Sequence, residues 1–487
     1  MAHTPWEPVI GLEIHIQMNT KSKMFSPAPN RFGDKPNTNI TDVCTGQPGT
    51  LPMLNEEVIK KAVQFGCAIH ANIASFSQFD RKSYFYPDSP RNYQITQFEH
   101  PIILGGFITA KVQGKIKSFK IHRAHLEDDS GMLKHFTHFG GVDCNRAGTP
   151  LLEVVSEPCI RSAKEAVAYA SAIKAILEHL EVSDCNMEEG SFRMDANVSV
   201  KLKTEHCLRN KIEIKNMNSF SHMELAIESE IQRQIQLYTL HADKVPEQVI
   251  LPSTYRFDSE KKINILMRIK ESVEDYRYFP EPDLMPIILS NQYIETIKTS
   301  LPELPDQKFK RYVEILELSE KTALRLIHDK ALCDYFEEAL PLVKNPKSLA
   351  NWILIEFTGK IKNSGKTLKE FGIQSSVVAH LVNRIEEGIL NGKIAKSVAD
   401  QIIKNPLLSC EEIIKNNPNY QPLQDTSSIE LLIDRVLLEN PQSVLDYKAG
   451  KTKTFDFLIG RVMELCEGRA SPNLVRTLLN QKLQKER

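Results

Sequence analysis

Ile10-Gly11-Leu12-Glu13-Ile14-His15-Ile16-Gln17 alternates without a break. Ile10, Leu12, Ile14 and Ile16 fall on one face of a strand, and Glu13, His15 and Gln17 on the other, because successive strand side chains point to opposite faces. The first face is core. The second sets a carboxylate beside an imidazole, a pairing suited to a metal or to proton transfer. The pattern recurs over 193–202, where Met194, Ala196, Val198, Val200 and Leu202 oppose Arg193, Asp195, Asn197 and Ser199. In 211–215, Ile212 and Ile214 oppose Lys211, Glu213 and Lys215. Residues 107–121 predict a hairpin: Ile108, Ala110 and Val112 alternate, Gln113-Gly114 turns, and Ile116 to Ile121 returns.

Two helices interrupt these strands. One is predicted to open at Ser162 with Glu165 three residues on, and one near Ser221 with Glu224 in the same relation. The second carries Met223, Ile227, Ile231 and Ile235 as a single apolar stripe. Grouped strands with few, uneven helices predict an α+β domain over 1–290. After Pro286 helix signals dominate. Asn345-Pro346, Asn405-Pro406, Asn440-Pro441 and Ser471-Pro472 read as capped helix starts. Val378, Leu381, Val382 and Ile385 form one helical face, and Leu474, Val475, Leu478 and Leu479 another. The expectation is a helical domain over 291–410 and a helical tail domain over 411–487.

The bulk numbers exclude several classes. At roughly 100–200 residues per domain, 487 residues suggest about three domains. A formal net charge of −1 offers no global field for nucleic acid, so any such binding is local. The last 40 residues carry nine basic and four acidic residues, a local excess of +5 that suits a phosphate backbone. The N-terminus lacks the basic and apolar regions of a signal peptide, and no apolar run nears the ~18–20 residues of a membrane helix. The nine cysteines form no Cys-x-x-Cys pair, which fits a reducing cytoplasm.

Several groups invite chemistry. Glu153 lies in the apolar run Pro150-Leu151-Leu152-Glu153-Val154-Val155, where a charge needs a partner or a metal. With Glu13 and Asp128 it makes an oxygen-rich set suited to Mg²⁺. The run His125-Leu126-Glu127-Asp128-Asp129 otherwise reads as a solvated turn. Residues 79–88 and 275–283 interleave cations with aromatics, a pattern that serves either a nucleotide or a core with snorkelling bases. Gly365-Lys366-Thr367 and Gly450-Lys451-Thr452 lack the first glycine of a P-loop, having Lys360 and Leu445 in its place.

Together the blocks 10–17, 79–88, 125–131, 145–158, 187–200, 213–220, 267–284 and 450–479 closely resemble the B/E-subunit family of tRNA-dependent aspartyl/glutamyl amidotransferases. The extra inserted domain of the archaeal E subunit finds no room among the three expected parts. The resemblance implies a first domain similar to glutamine synthetase, an antiparallel cradle with Mg²⁺ at its base. It implies that ATP phosphorylates the side-chain carboxylate of Glu-tRNA(Gln) or Asp-tRNA(Asn), after which ammonia displaces phosphate. Carried over by position, the metal set is Glu13, His15, Asp128 and Glu153, with Asp128 standing where many relatives have Glu. Lys82, Glu13 and His15 are the implied catalytic residues, Arg81, Lys82 and Arg193 contact ATP or phosphate, and Lys451, Lys453, Arg461 and Arg469 hold tRNA.

The four-cysteine zinc site of some relatives falls on Ser26, Ala28, Thr41 and Cys44, so no zinc is expected. The Gly/Ser-rich amidase loop is absent. An amidase A subunit is therefore implied as the source of ammonia, with a small C subunit at the interface. Two alternatives stay open at this point: a tRNA-presenting adaptor without chemistry, and a free-standing ligase. The ligand-type strand faces argue against the first and the basic tail against the second.

Overall fold

The computed structural model describes residues 5–270, 275–421, 423, 425–467 and 469–485. Met1–Thr4, residues 271–274 just ahead of the second aromatic-basic block, and Glu486 and Arg487 of the basic tail lie outside the described residues. The chain divides into two compact units, 1–307 and 308–487.

The first unit is built on one large sheet. Its strands are β1 (Trp6–Gln17), β2 (Asn72–Ile73), β3 (Ile103–Leu104), β4 (Phe107–Val112), β5 (Lys115–Asp128), β6 (Pro150–Ser156), β7 (Phe192–Leu202), β8 (Ile212–Lys215), β9 (Ser253–Asp258) and β10 (Ile263–Ile269). Their spatial order is β10-β9-β8-β7-β1-β6-β5-β3-β2, with β4 also paired to β5. The pairs are antiparallel except β8 with β9. The decisive stretch is the central strand β1. Ile10, Leu12, Ile14 and Ile16 are all fully buried, and burying each such side chain is worth ~1.5–3 kcal/mol. That burial pins the register, because a one-residue slip would turn the whole set outward.

Helices α1 (Glu56–Ala68), α2 (Ala163–His179) and α3 (Phe220–Leu240) contribute to the same core. The expected hairpin is present, as β4 and β5 joined through Gln113 and Gly114, both at positive φ (49° and 84°). Such a two-residue turn matches the twist of antiparallel strands. Ser162 caps α2 by accepting the Glu165 N–H at 3.2 Å. The Glu165 carboxylate instead accepts the N–H of Arg161 at 2.9 Å, so the reciprocal half of the expected box falls one residue early. The second helix does not open at Ser221. Ser219 caps it, accepting the His222 N–H at 3.1 Å, and Met223, Ile227 and Ile231 are buried as the stripe requires.

The second unit is helical. Asn345 caps the helix Pro346–Asn351 by accepting the Ser348 N–H at 3.2 Å, and helices also begin at Pro441 and Pro472. Asn405-Pro406 behaves otherwise: Asn405 ends the helix Gly392–Lys404, and the next, Cys410–Asn416, opens at Ser409 with a full capping box. Val378, Leu381 and Val382 are fully buried. Ile429, Ile433, Leu458, Val462, Val475 and Leu479 form a separate core among the last helices. Among the described residues no helix is long and apolar enough to cross a membrane. All nine cysteines are free thiols.

Candidate active site

The polar face of the sheet carries cross-strand rows. His125 on β5 lies opposite Glu153 on β6, Glu153 opposite His15 on β1, and His15 opposite Arg193 on β7. The next row sets Glu127 opposite Leu151, and Leu151 opposite Gln17. The row on the other side runs Arg123, Val155, Glu13 and Asp195. Period-two alternation puts all these side chains on the face away from the Ile10–Ile16 core.

Within this face His15, Glu127 and Glu153 converge. One ligand atom from each lies within 4.8 Å of the others. His15 Nε2 stands 3.4 Å from Glu153 Oε2 and 3.6 Å from Glu127 Oε1. Burial by itself would depress the His15 imidazole, but Glu153 and Glu127 outweigh it and lift the group to about 9. Burial would also raise Glu153, yet His15 and His125 hold its carboxyl well below the usual range. Glu127 moves the other way, pushed up by burial and by the charge of Glu153. Buried Glu127 and half-buried Glu153, this close to an imidazole nitrogen, form a donor set of one nitrogen and two oxygens. It fits a divalent ion that keeps several waters, Mg²⁺ by its carboxylates or Mn²⁺ by its tolerance of imidazole.

The four residues expected as ligands are therefore not all brought together. Asp128 faces away from Glu127, as neighbours on a strand must. Its carboxylate is bound by Arg91 and by the Ile95 N–H at 2.9 Å. Glu13 accepts from Asn197 Nδ2 at 2.8 Å, in the row beyond His15, beside Asp195 and its Lys215 partner at 2.6 Å. Nor is the acidic run a solvated turn. His125, Glu127, Asp128 and Asp129 are all buried, because β5 runs to Asp128 and Arg91, Arg146 and Arg193 close over its end.

A cavity of about 260 Å³ opens over this cluster, lined among others by His15, Lys82, Arg91, Glu127 and Arg193. Lys82 comes from the short strand Asp80–Ser83, with Nζ 4.8 Å from the Tyr276 ring centre and no ion-pair partner among the described residues. Arg81, on the opposite face of that strand, is taken up elsewhere. It grips Glu281 through Nε at 2.7 Å and Nη2 at 2.8 Å, and Asp283 at 2.9 Å. Arg193 lines the cavity while its Nη2 donates to Asp129 at 2.9 Å. Burial and the charges of Glu127 and Glu153 push the Tyr278 phenol up to about 12, so the second aromatic-basic block also borders the cluster.

Ser26, Thr41 and Cys44 stand together beside the cavity: Ser26 Oγ is 2.7 Å from Thr41 Oγ1, and Cys44 Sγ 3.5 Å from Ser26 Oγ. Fully buried Lys23 fills the space behind them, donating to Ala147 O at 2.7 Å and lying 3.7 Å from Cys44 Sγ. In the second unit, Lys451, Lys453 and Arg461 are exposed and Arg469 is half-buried; Lys451 pairs with Asp446 at 3.1 Å and Arg461 with Glu464. Sequence reasoning missed Glu127 and His125 as site residues. The signal was present, since His125-x-Glu127 repeats the spacing of Glu13-x-His15.

Residues 8–295 match the family described as GatB/GatE catalytic domain, and residues 334–483 the one described as GatB domain. The chain belongs to the family of aspartyl/glutamyl-tRNA(Asn/Gln) amidotransferase B subunits, as its motifs led us to expect. It is 61% identical to the protein of that name from Protochlamydia amoebophila over 482 residues, 99% of this chain and 98% of that one. The Chlamydia abortus protein is 53% identical over 99% of both chains, and that of Chlamydia trachomatis serovar L2 51% identical over 98% of both.

Proposed function

We propose that this chain is the phosphorylating and amidating subunit of a tRNA-dependent amidotransferase, acting on Glu-tRNA(Gln), Asp-tRNA(Asn) or both. The observation that carries the reading is the convergence of His15, Glu127 and Glu153 at a cavity lined by His15, Glu127 and Lys82, where Lys82 has no ion-pair partner among the described residues. A carboxylate is a poor electrophile until an oxygen becomes a leaving group. Here its oxygen attacks the γ-phosphorus of ATP, the bond to ADP breaks, and ammonia then displaces phosphate from the acyl carbon. His15, Glu127 and Glu153 would hold Mg²⁺, which when bound supplies charge neutralisation for the phosphates. Lys82 binds the transferring phosphoryl oxygens as a point charge. The cavity walls keep water from the acyl phosphate.

In this reading the sheet is a cradle of glutamine-synthetase type. An amidase A subunit supplies the ammonia and a small C subunit joins the assembly. Lys451, Lys453, Arg461 and Arg469 of the tail face the tRNA backbone. The test is the reconstituted assembly with ammonium salt and each misacylated tRNA, scored for amidated product. Amide is expected only when ATP and Mg²⁺ are both present. Amide formed without ATP would overturn the phosphorylation step.

A further inference from the structure

We propose that His125 is a positioning residue for the metal site, holding the Glu153 carboxylate in place without itself binding the cation. The inference rests on the metal reading above and extends it to a residue behind the ligands. The register puts an imidazole on each side of Glu153, His15 from β1 and His125 from β5. Both reach the same oxygen: His125 Nε2 lies 3.1 Å from Glu153 Oε2, and His15 Nε2 lies 3.4 Å from it. The two rings are nonetheless not equivalent. His15 lines the cavity, whereas the His125 side chain is 5% exposed and stands behind the carboxylates.

The other nitrogen of His125 settles its role. Nδ1 is buried with no hydrogen-bond partner among the described residues. A hydrogen on Nδ1 would be a buried, unsatisfied donor, which is costly, so the neutral ring carries its hydrogen on Nε2. That N–H donates to Glu153, which leaves no Nε2 lone pair for a cation. The same nitrogen is 3.9 Å from Glu127 Oε2. His125 therefore sits between two like charges that must be held close together for a cation to bridge them. Groups of this kind behind a metal ligand typically set affinity by ~10–100-fold.

The experiment measures Mn²⁺ affinity by electron paramagnetic resonance on the full-length chain, without ATP or tRNA. His125→Leu is expected to bind Mn²⁺ about 10–100-fold more weakly than wild type. His125→Gln places an amide N–H near the position of Nε2 and should recover most of the affinity. His125→Asn is polar but too short to reach Glu153, and should stay weak, which keeps the test sound even if the leucine variant fails to fold. Wild-type affinity in His125→Asn, or no recovery in a folded His125→Gln, overturns the inference. If wild type binds no Mn²⁺, or His15→Ala binds it as wild type does, the metal reading itself fails and takes the inference with it.

Discussion

Glu153 and His15 face each other across adjoining strands, with Oε2 and Nε2 3.4 Å apart. The pair makes metal-free stability depend on pH. Burial opposes the His15 imidazolium, but Glu153 and Glu127 lift it from its ordinary 6.5 to about 9. A value raised by folding means that protonation of His15 stabilises the fold fully below 6.5, and that this contribution fades as pH rises through about 9. The urea midpoint of metal-free protein should fall across that window, and His15→Ala should flatten the fall. Mn²⁺ affinity should climb over the same range, because proton and cation compete for one nitrogen. A flat midpoint in wild type would count against the assigned environment of His15.

Glu127 and Asp128 are neighbours with different tasks. Glu127→Gln should abolish Mn²⁺ binding and amide formation, with a stability change of ~1 kcal/mol or less. Asp128→Ala strips Arg91 of its buried partner and should cost ~3–5 kcal/mol in denaturant unfolding. Loss of metal binding in a stable Asp128 variant would restore that residue to the ligand set.

Arg81 and Lys82 divide in the same way. Glu281 has a fully buried side chain whose carboxylate depends on Arg81. Arg81→Leu should therefore destabilise by about 3–5 kcal/mol. Lys82→Ala should leave the unfolding midpoint almost unchanged, since its ammonium has no ion-pair partner to lose among the described residues. It should lower the rate of amide formation by ~10²–10³-fold. Single-turnover assays with saturating tRNA separate the two effects.

The tail is tested by salt. Lys451→Ala with Lys453→Ala should weaken tRNA binding and flatten its salt dependence, each lost phosphate contact removing roughly 0.7–0.9 from the log–log slope. An unchanged slope would remove these two lysines from the tRNA-binding surface.

Much of this arrangement was legible in local pattern. The alternation of 10–17 and 193–202 placed two central strands, and Gln113-Gly114 placed the turn of a hairpin in the same sheet. What misled was non-local. Residues 125–129 look like a charge run only until Arg91, Arg146 and Arg193, distant in sequence, close over them. Asp128 occupies the motif position, while strand parity with His125 places Glu127 on the polar face beside His15 and Glu153. Arg81 resembled a phosphate contact because its partners Glu281 and Asp283 lie some 200 residues away. The parallel pairing of β8 with β9 leaves no mark in either strand.

The residues that would grip the cation come one each from β1, β5 and β6, three strands laced side by side in the middle of the sheet. This sets where the gene can change length. Inserting or deleting a single codon within one of these strands would reverse the facing of every residue beyond it, trading a ligand for a neighbour that belongs to the opposite face. The loops between them are free of that parity constraint. Length variation among descendants of this sequence should therefore collect in those loops and stop at the ends of the three strands.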